Sequence, residues 1–590
     1  MAAILFAVLL PTVLIGMAAI AVDIGMLYRE AGRVQRAADA AALSAVTWMP
    51  GNLGQATTTA RRIAAVNGYA AGGGTTVEVD EGDVSSQLRV TITTTVDNTF
   101  GAAIGSPTAQ VTRTALADYT APAPMGSPCN TFGNEPPSTA GAAQPSGTAL
   151  PAAPFPNCSS NPQFWAAVEG PGTDKVQGDR YGTMPCSTAE NCVPGRNSEY
   201  RPEGYFFALR VEPAAVGRSL AVQVYDPAYV ETGVACGDID QRYVADRMSD
   251  YTPTAGAARY ADATSIYCSG DYNPRASSDP VGQPLDTTFL VRQPNATGDP
   301  LKSEVVSGCT QQFEGRRTQV ASEELRQWTQ PTGSKTRYAG FNPELARVFH
   351  QWVELCSFTP TMAGNYYLQV RTNRSPGGTA VTNSNESGRS FDPVVWRDNA
   401  SAGSRDGNVS TTTGLNSFAL RVVPSRADLR DDVAVAGYSR MPVLQNAPSS
   451  RARFNLIRAL PSARGQYIAF DFFDAADGST GTGGSVRVIA PPDATGSIRS
   501  GPGGSVPGCR GALGDAAYTN LGECTVPVKA STHNGKIQQM VIPLPEDYSC
   551  NPATLGGCWF QVETNFSGSN VTDFTTWDAN IAGDPVRLIE

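Results

Sequence analysis

MAAILFAVLLPTVLIGMAAIAVDIGMLYREAGRVQRAADAAALSA, Met1–Ala45, is the stretch on which the architecture turns. Its first part, Met1 to Val22, carries no charged side chain. As a helix that run is about 33 Å long, against a hydrocarbon core of about 30 Å, so residues 1–24 are expected to form a transmembrane helix. A cleavable secretory signal is the rival reading; it needs a basic segment ahead of a shorter apolar core, and here that basic segment is missing. Asp23 ends the apolar stretch, and Tyr28 and Arg29 follow where a helix leaves the interface, so these three mark the membrane boundary. Arg33 and Arg36 share a helical face with Arg29.

Beyond the boundary the sequence stays helical. Val34, Ala38, Ala41, Ala42 and Ala45 recur as a small-residue stripe, and a second helical run near 55–68 stops at Gly72-Gly73-Gly74. TTVEV, QLRVTITTTVD and TAQVTRTALAD then alternate with the period of strands, which makes residues 25–118 a helix-helix-strand module.

The string Ala21-Val22-Asp23, Gly25, Tyr28 and Ala37-Ala38-Asp39-Ala40-Ala41-Ala42 resembles the N-terminal module of the TadG-like (TadE/TadG) Flp, or tight adherence, pilus-assembly proteins. The resemblance covers about residues 1–118. It implies a single-pass protein of the bacterial cell membrane whose bulk lies outside the cytoplasm, with other pilus-assembly or envelope proteins as partners beside the lipid bilayer. Two departures limit it. The Asp-x-Ser-x-Ser metal motif of relatives with a von Willebrand A domain has only Asp477-Gly478-Ser479-Thr480-Gly481 as a counterpart, so no metal site is carried over. The Glu that prepilins place five residues into the mature helix is replaced by Leu5.

Twelve cysteines, Cys129, Cys158, Cys186, Cys192, Cys236, Cys268, Cys309, Cys356, Cys509, Cys524, Cys550 and Cys558, all fall after residue 128. With His350 and His533 the only histidines and no Cys-x-x-Cys, the set is expected to form disulfides in an oxidising compartment. Cys509 with Cys524 and Cys550 with Cys558 are the default neighbour pairs. Counting arginines after the apolar run argues for the opposite orientation, and the cysteines decide the matter in favour of export.

Residues 119–160 are rich in Pro, Ala, Gly and Ser and are expected to act as a spacer. After them come short strands such as YFFALRV, SLAVQVYD, NYYLQVR, SFALRVV, YIAFDFFD, CWFQVE and VRLIE, a β-sandwich or jelly-roll pattern. We expect one such domain at 161–430 and a second at 431–590, with residues 238–290 as a long loop excursion. Phe207-Ala208-Leu209-Arg210-Val211 recurs as Phe418-Ala419-Leu420-Arg421-Val422, through duplication or chance.

The chemistry expected of this bulk is binding. No Gly-x-Ser-x-Gly elbow occurs, and GTGGS and GPGGS lack the Gly-Lys-Ser/Thr ending of a phosphate loop. His350 is expected to pack among Phe349 and Trp352, and His533 to be solvated. Asp471, Asp474 and Asp477, like Asp238 and Asp240, lack the spacing of a calcium loop and read as loop carboxylates. No catalytic, cofactor-binding or metal residue is assigned, and no cofactor. A net charge of -10 excludes a diffuse phosphate-binding field, so nucleic acid is not a partner. The leading expectation is a structural or assembly protein of the envelope. An adhesin or carbohydrate-binding protein with surface glycans as partners is the alternative, and a surface hydrolase a further one.

Overall fold

The computed structural model describes residues 2–49, 53–82, 87–119, 124–127, 129–134, 164–230, 271–273, 285–295, 299–313, 315, 348–349, 352–373, 413–447, 450–477, 483–499, 506–553, 556–567, 571–582 and 586–588. The chain divides into two compact units, Met1–Ala121 with Asn295–Lys302 and Gly583–Glu590, and Pro122–Pro294 with Ser303–Ala582.

In the first unit, helix α1 runs from Ala2 to Ala45 and α2 from Leu53 to Val66. The small-residue stripe is the packing face of α1: Val34, Ala38, Ala41, Ala42 and Ala45 are all fully buried. Side chains that short let the helix axis approach both α2 and the sheet formed by Thr76–Glu81, Gln87–Asp97 and Thr108–Tyr119. Tyr69, just after α2, donates its hydroxyl to Glu30 of α1 at 2.7 Å, and burial together with that bond pushes the phenol up to about 12. Val586–Leu588 adds a fourth antiparallel strand, Val586 opposite Tyr119 and Leu588 opposite Ala117. We expected VRLIE within the second β-domain. The alternating pattern of a strand does not name its partner, and this one returns to the sheet of the N-terminal module.

Among the described residues no helix is long and apolar enough to cross a membrane. The spanning expectation for residues 1–24 falls partly outside them, because the side chains of residues 1–12 and 15 are not described. Val13, Leu14, Met17, Ile20, Val22 and Ile24 of α1 are exposed.

The second unit is two jelly rolls. The first takes eight strands in chain order: Phe164–Glu169, Tyr205–Val211, Leu220–Tyr225, Thr287–Arg292, Val305–Phe313, Trp352–Phe358, Gly364–Thr372 and Leu415–Pro424. Their sheet order is first-eighth-third-sixth in one layer and second-seventh-fourth-fifth in the other. The second roll repeats this order with Arg440–Ala447, Arg451–Arg458, Tyr467–Phe473, Gly484–Ile489, Thr525–Val528, Ile537–Pro543, Trp559–Phe566 and Val571–Ala582. The two rolls are continuous through their sheets. The 164–169 strand of the first roll pairs with the 440–447 strand of the second, so one sheet carries eleven described strands and the other ten. One core runs through both rolls, fed by alternate residues from the two layers.

The repeated FALRV strings do not mark a duplication. One lies on the second strand of the first roll and the other on the eighth strand of the same roll, in opposite layers, where Phe207 and Phe418 meet edge to face at 6.2 Å. The expected spacer also needs correction at its start. Pro124–Met125 is a short strand of the ten-stranded layer, Thr131–Phe132 pairs with the 415–424 strand, and Met125 and Phe132 are fully buried. Their apolar side chains outweigh the Pro- and Gly-rich composition around them. Residues 135–163 lie outside the described residues.

Candidate functional site

Of the expected boundary residues, Tyr28 and Arg29 are exposed, whereas Asp23 is buried. The Asp23 carboxylate accepts the backbone N–H groups of Thr99 at 2.9 Å, Phe100 at 3.0 Å and Gly101 at 2.7 Å. Those amides open the short helical turn Gly101–Ile104, whose first N–H groups have no partner within it. The acid of the Ala-Val-Asp-x-Gly step therefore clamps α1 to the loop between two strands of the module sheet.

The cysteines pair as Cys186–Cys192, Cys309–Cys356, Cys509–Cys524 and Cys550–Cys558, and Cys129 is also disulfide-bonded. Cys158, Cys236 and Cys268 lie outside the described residues, as do His350, Asp238, Asp240 and most of the 238–290 excursion. Asp493, Cys550 and Cys558 converge closely enough to suggest a metal site, but their sulfurs are bonded to each other and Asp493 accepts the Asn551 and Cys558 amides.

His533 is buried, not solvated. It ends a one-turn helix, α3 (Ala530–His533), and its Nδ1 lies 2.8 Å from the Thr532 hydroxyl and 3.2 Å from the Lys529 amide. Burial lowers its pKa, which keeps the ring neutral at pH 7. Asp471 sits directly opposite Asp578 on adjacent strands. Burial, and then the charge of Asp578, pushes Asp471 up to about 6. Asp474 is buried with one oxygen on the Gly535 amide, and Asp477 is exposed. Glu169 is fully buried with neither oxygen hydrogen-bonded, and burial, then Asp179 and Asp474, hold it well above the usual carboxylate range.

Among the described residues, a shallow groove lies on the outer face of the ten-stranded layer, where the two rolls meet. Ala208, Ala434 and Ala436 form a flat floor across the paired 205–211 and 433–438 strands, and Pro124 continues it. Arg210 and Asn365 come from the first roll, and Arg458, Gly556 and Trp559 from the second. Arg458 and Trp559 are cross-strand partners. The Arg458 guanidinium donates to the carbonyls of Pro552 at 2.7 Å and Gly557 at 3.4 Å. Burial, and then the nearby Arg210 charge, pushes it down to about 10. Sequence reading missed this site, because its residues are scattered from 124 to 559 and only strand register brings them together.

Comparison with known proteins bears on the N-terminal module. Residues 1–50 match the Tad family model, described as putative Flp pilus-assembly TadE/G-like. The start of the chain is therefore TadE/G-like, as its Asp step and Ala-rich helix imply. No curated protein matches the chain. Among solved structures, the Faustovirus major capsid protein aligns over 88% of this chain and 80% of its own at 9% identity, with a TM-score of 0.12, too low to establish a common fold.

Proposed function

We propose that this chain is a structural or assembly protein of a Flp-type pilus or related envelope apparatus, tethered by its N-terminal helix and displaying the double jelly roll outside the cytoplasm. The observation that carries the reading is the TadE/G-like match over residues 1–50. Three features support the tether and the export. Met1–Val22 is uncharged, α1 exposes apolar side chains from Val13 to Ile24, and the described cysteines of the second unit are joined in disulfides. The jelly rolls act by binding, with other envelope proteins and surface glycans as partners, and no residue is assigned a catalytic role.

Protease added to intact protoplasts tests the topology. Removal of the double roll is expected, with a fragment of the first helix retained in the membrane. Full protection of the chain sinks the exported orientation. Recovery of the whole protein in the soluble fraction sinks the tether.

A further inference from the structure

Two buried carboxylates share one small cavity in the first roll. Glu169 ends the strand 164–169, and Asp179 lies in the connection that leads from it to the strand 205–211. Both are fully buried, and both line a cavity of about 10 Å³. Asp179 Oδ1 accepts the Tyr181 and Gly182 amides and the Tyr205 hydroxyl, while Oδ2 accepts the Glu169 amide at 3.2 Å. Neither oxygen of Glu169 has a hydrogen-bond partner. The donors to Asp179 are all neutral, and Lys175 and Arg180 of the same connection both bind Glu199, at 2.6 and 2.7 Å. After burial, the Asp179 charge acts most strongly on Glu169 and raises its carboxyl further. A buried carboxylate with neither donor nor counter-charge is a costly arrangement, and a cation between the two relieves it.

We propose that Glu169 and Asp179 hold a calcium ion in this cavity. Two carboxylates balance a divalent charge, and Thr372 and Tyr200, which line the same cavity, carry the neutral oxygens that calcium accepts beside them. Room for a single water-sized body suits a bare ion and not magnesium, which keeps several of its waters. No His or Cys lines the cavity, which disfavours zinc. Gly182 keeps the space clear, because a Cβ there would lie 2.4 Å from Asp179 Oδ2. The ion would pin the connection to the end of the 164–169 strand. That connection also reaches the second roll: the Glu190 carboxylate accepts the Ile537 amide at 3.1 Å, and the Glu190 amide donates to the Gly535 carbonyl at 2.8 Å. Calcium would therefore stiffen a contact between the rolls. The site is separate from the loop carboxylates Asp474 and Asp477, and the inference is independent of the pilus assignment.

The test is calorimetric titration of the full chain in detergent, stripped with a chelator, with calcium chloride and separately with magnesium chloride, together with thermal melts in each. Calcium is expected to bind saturably and to raise the melting temperature, and magnesium at the same concentration to do neither. Binding is expected to weaken as pH falls, because protons compete for the carboxylates. Glu169→Gln keeps the size and removes the buried charge, so it is expected to fold and to lose the calcium response. Glu169→Asp keeps the charge but withdraws the oxygens by one methylene, and is expected to bind calcium about ten-fold more weakly or worse. Asp477→Asn, in the exposed loop after the 467–473 strand, is expected to bind like the parent. Melts establish that each variant is folded; if Glu169→Gln is not, Glu169→Asp carries the decision. The proposal is overturned if calcium does not bind, if magnesium binds as tightly, if the folded Glu169 variants bind like the parent, or if Asp477→Asn abolishes the response. Failure here with export and pilus assembly intact removes only the ion. Loss of assembly with calcium binding retained removes only the pilus reading.

Discussion

The Asp23 carboxylate and the Gly101 amide, 78 residues apart, meet at 2.7 Å. Thr99 and Phe100 donate to the same carboxylate, so a single acid fixes both the exit of α1 and the turn between two strands. Asp23→Asn keeps the size but replaces one acceptor oxygen by a donor that faces backbone N–H groups. It is expected to destabilise the first unit by about 1–3 kcal/mol, and Asp23→Ala by at least as much. Hydrogen exchange at residues 99–101 reads this directly. Unchanged protection in both variants means that the clamp is idle.

The first unit also depends on the far end of the chain. Ala117, Asp118 and Tyr119 have Leu588, Arg587 and Val586 as their partners on the side away from the 87–97 strand. Deleting residues 583–590 leaves that stretch as an open edge, which is expected to exchange its amides faster and to promote association between copies. If exchange over 117–119 and the sedimentation profile match those of the full chain, the C-terminal strand does not support the sheet.

Cys309 and Cys356 stand on opposite layers of the first roll, and their bond closes a separation of 47 residues. Loop-closure entropy assigns such a bridge about 4 kcal/mol, against about 2 kcal/mol for the separation of 6 at Cys186–Cys192. Replacing each pair by serines is expected to lower the denaturant midpoint of the second unit in that order. Equal losses from the two double variants argue that native-state contacts, and not loop length, set the contribution.

Much of this architecture is legible in the sequence, because apolar alternation is a local signal. The Ala-rich stripe of α1, the strand-rich bulk and the Cys509–Cys524 and Cys550–Cys558 pairs are all short-range features. What escaped reading is set by distant partners. Val586–Leu588 has the pattern of any strand, Met125 and Phe132 are single apolar residues in a Pro-rich stretch, and Asp23 looks like the end of an apolar run until the 99–101 loop folds onto it. The seam groove was least legible of all. Ala208, Asn365, Ala436 and Arg458 become neighbours only once two jelly rolls share a sheet.

The last prediction concerns pH. Asp471 faces Asp578 across paired strands, and the Asp578 carboxylate is held by the Tyr181 hydroxyl at 2.7 Å and the Asn580 amide at 3.0 Å. Burial and the Asp578 charge raise Asp471 to about 6 in the folded chain, against about 3.9 when unfolded. A raised carboxyl pKa means that the folded state binds the proton more tightly. At pH above about 6 both states are ionised and folding carries the full cost of the buried charge; as pH falls from about 6 towards 4 the folded state takes up the proton first and stability rises. Two pKa units correspond to about 3 kcal/mol, an upper figure for a side chain that water partly reaches. Buried Glu169, Asp179 and Asp474 are raised too and push in the same direction. The double roll is therefore expected to melt higher at pH 5 than at pH 7.5. Asp471→Asn removes one of these charges, so it is expected to raise the melting temperature at pH 7.5 and to narrow the gap between the two pH values. Melting curves of both proteins at the two pH values check this. A parent that is more stable at pH 7.5, or an Asp471→Asn variant with the same pH dependence as the parent, shows that the Asp471–Asp578 pair is not a site of stored electrostatic cost.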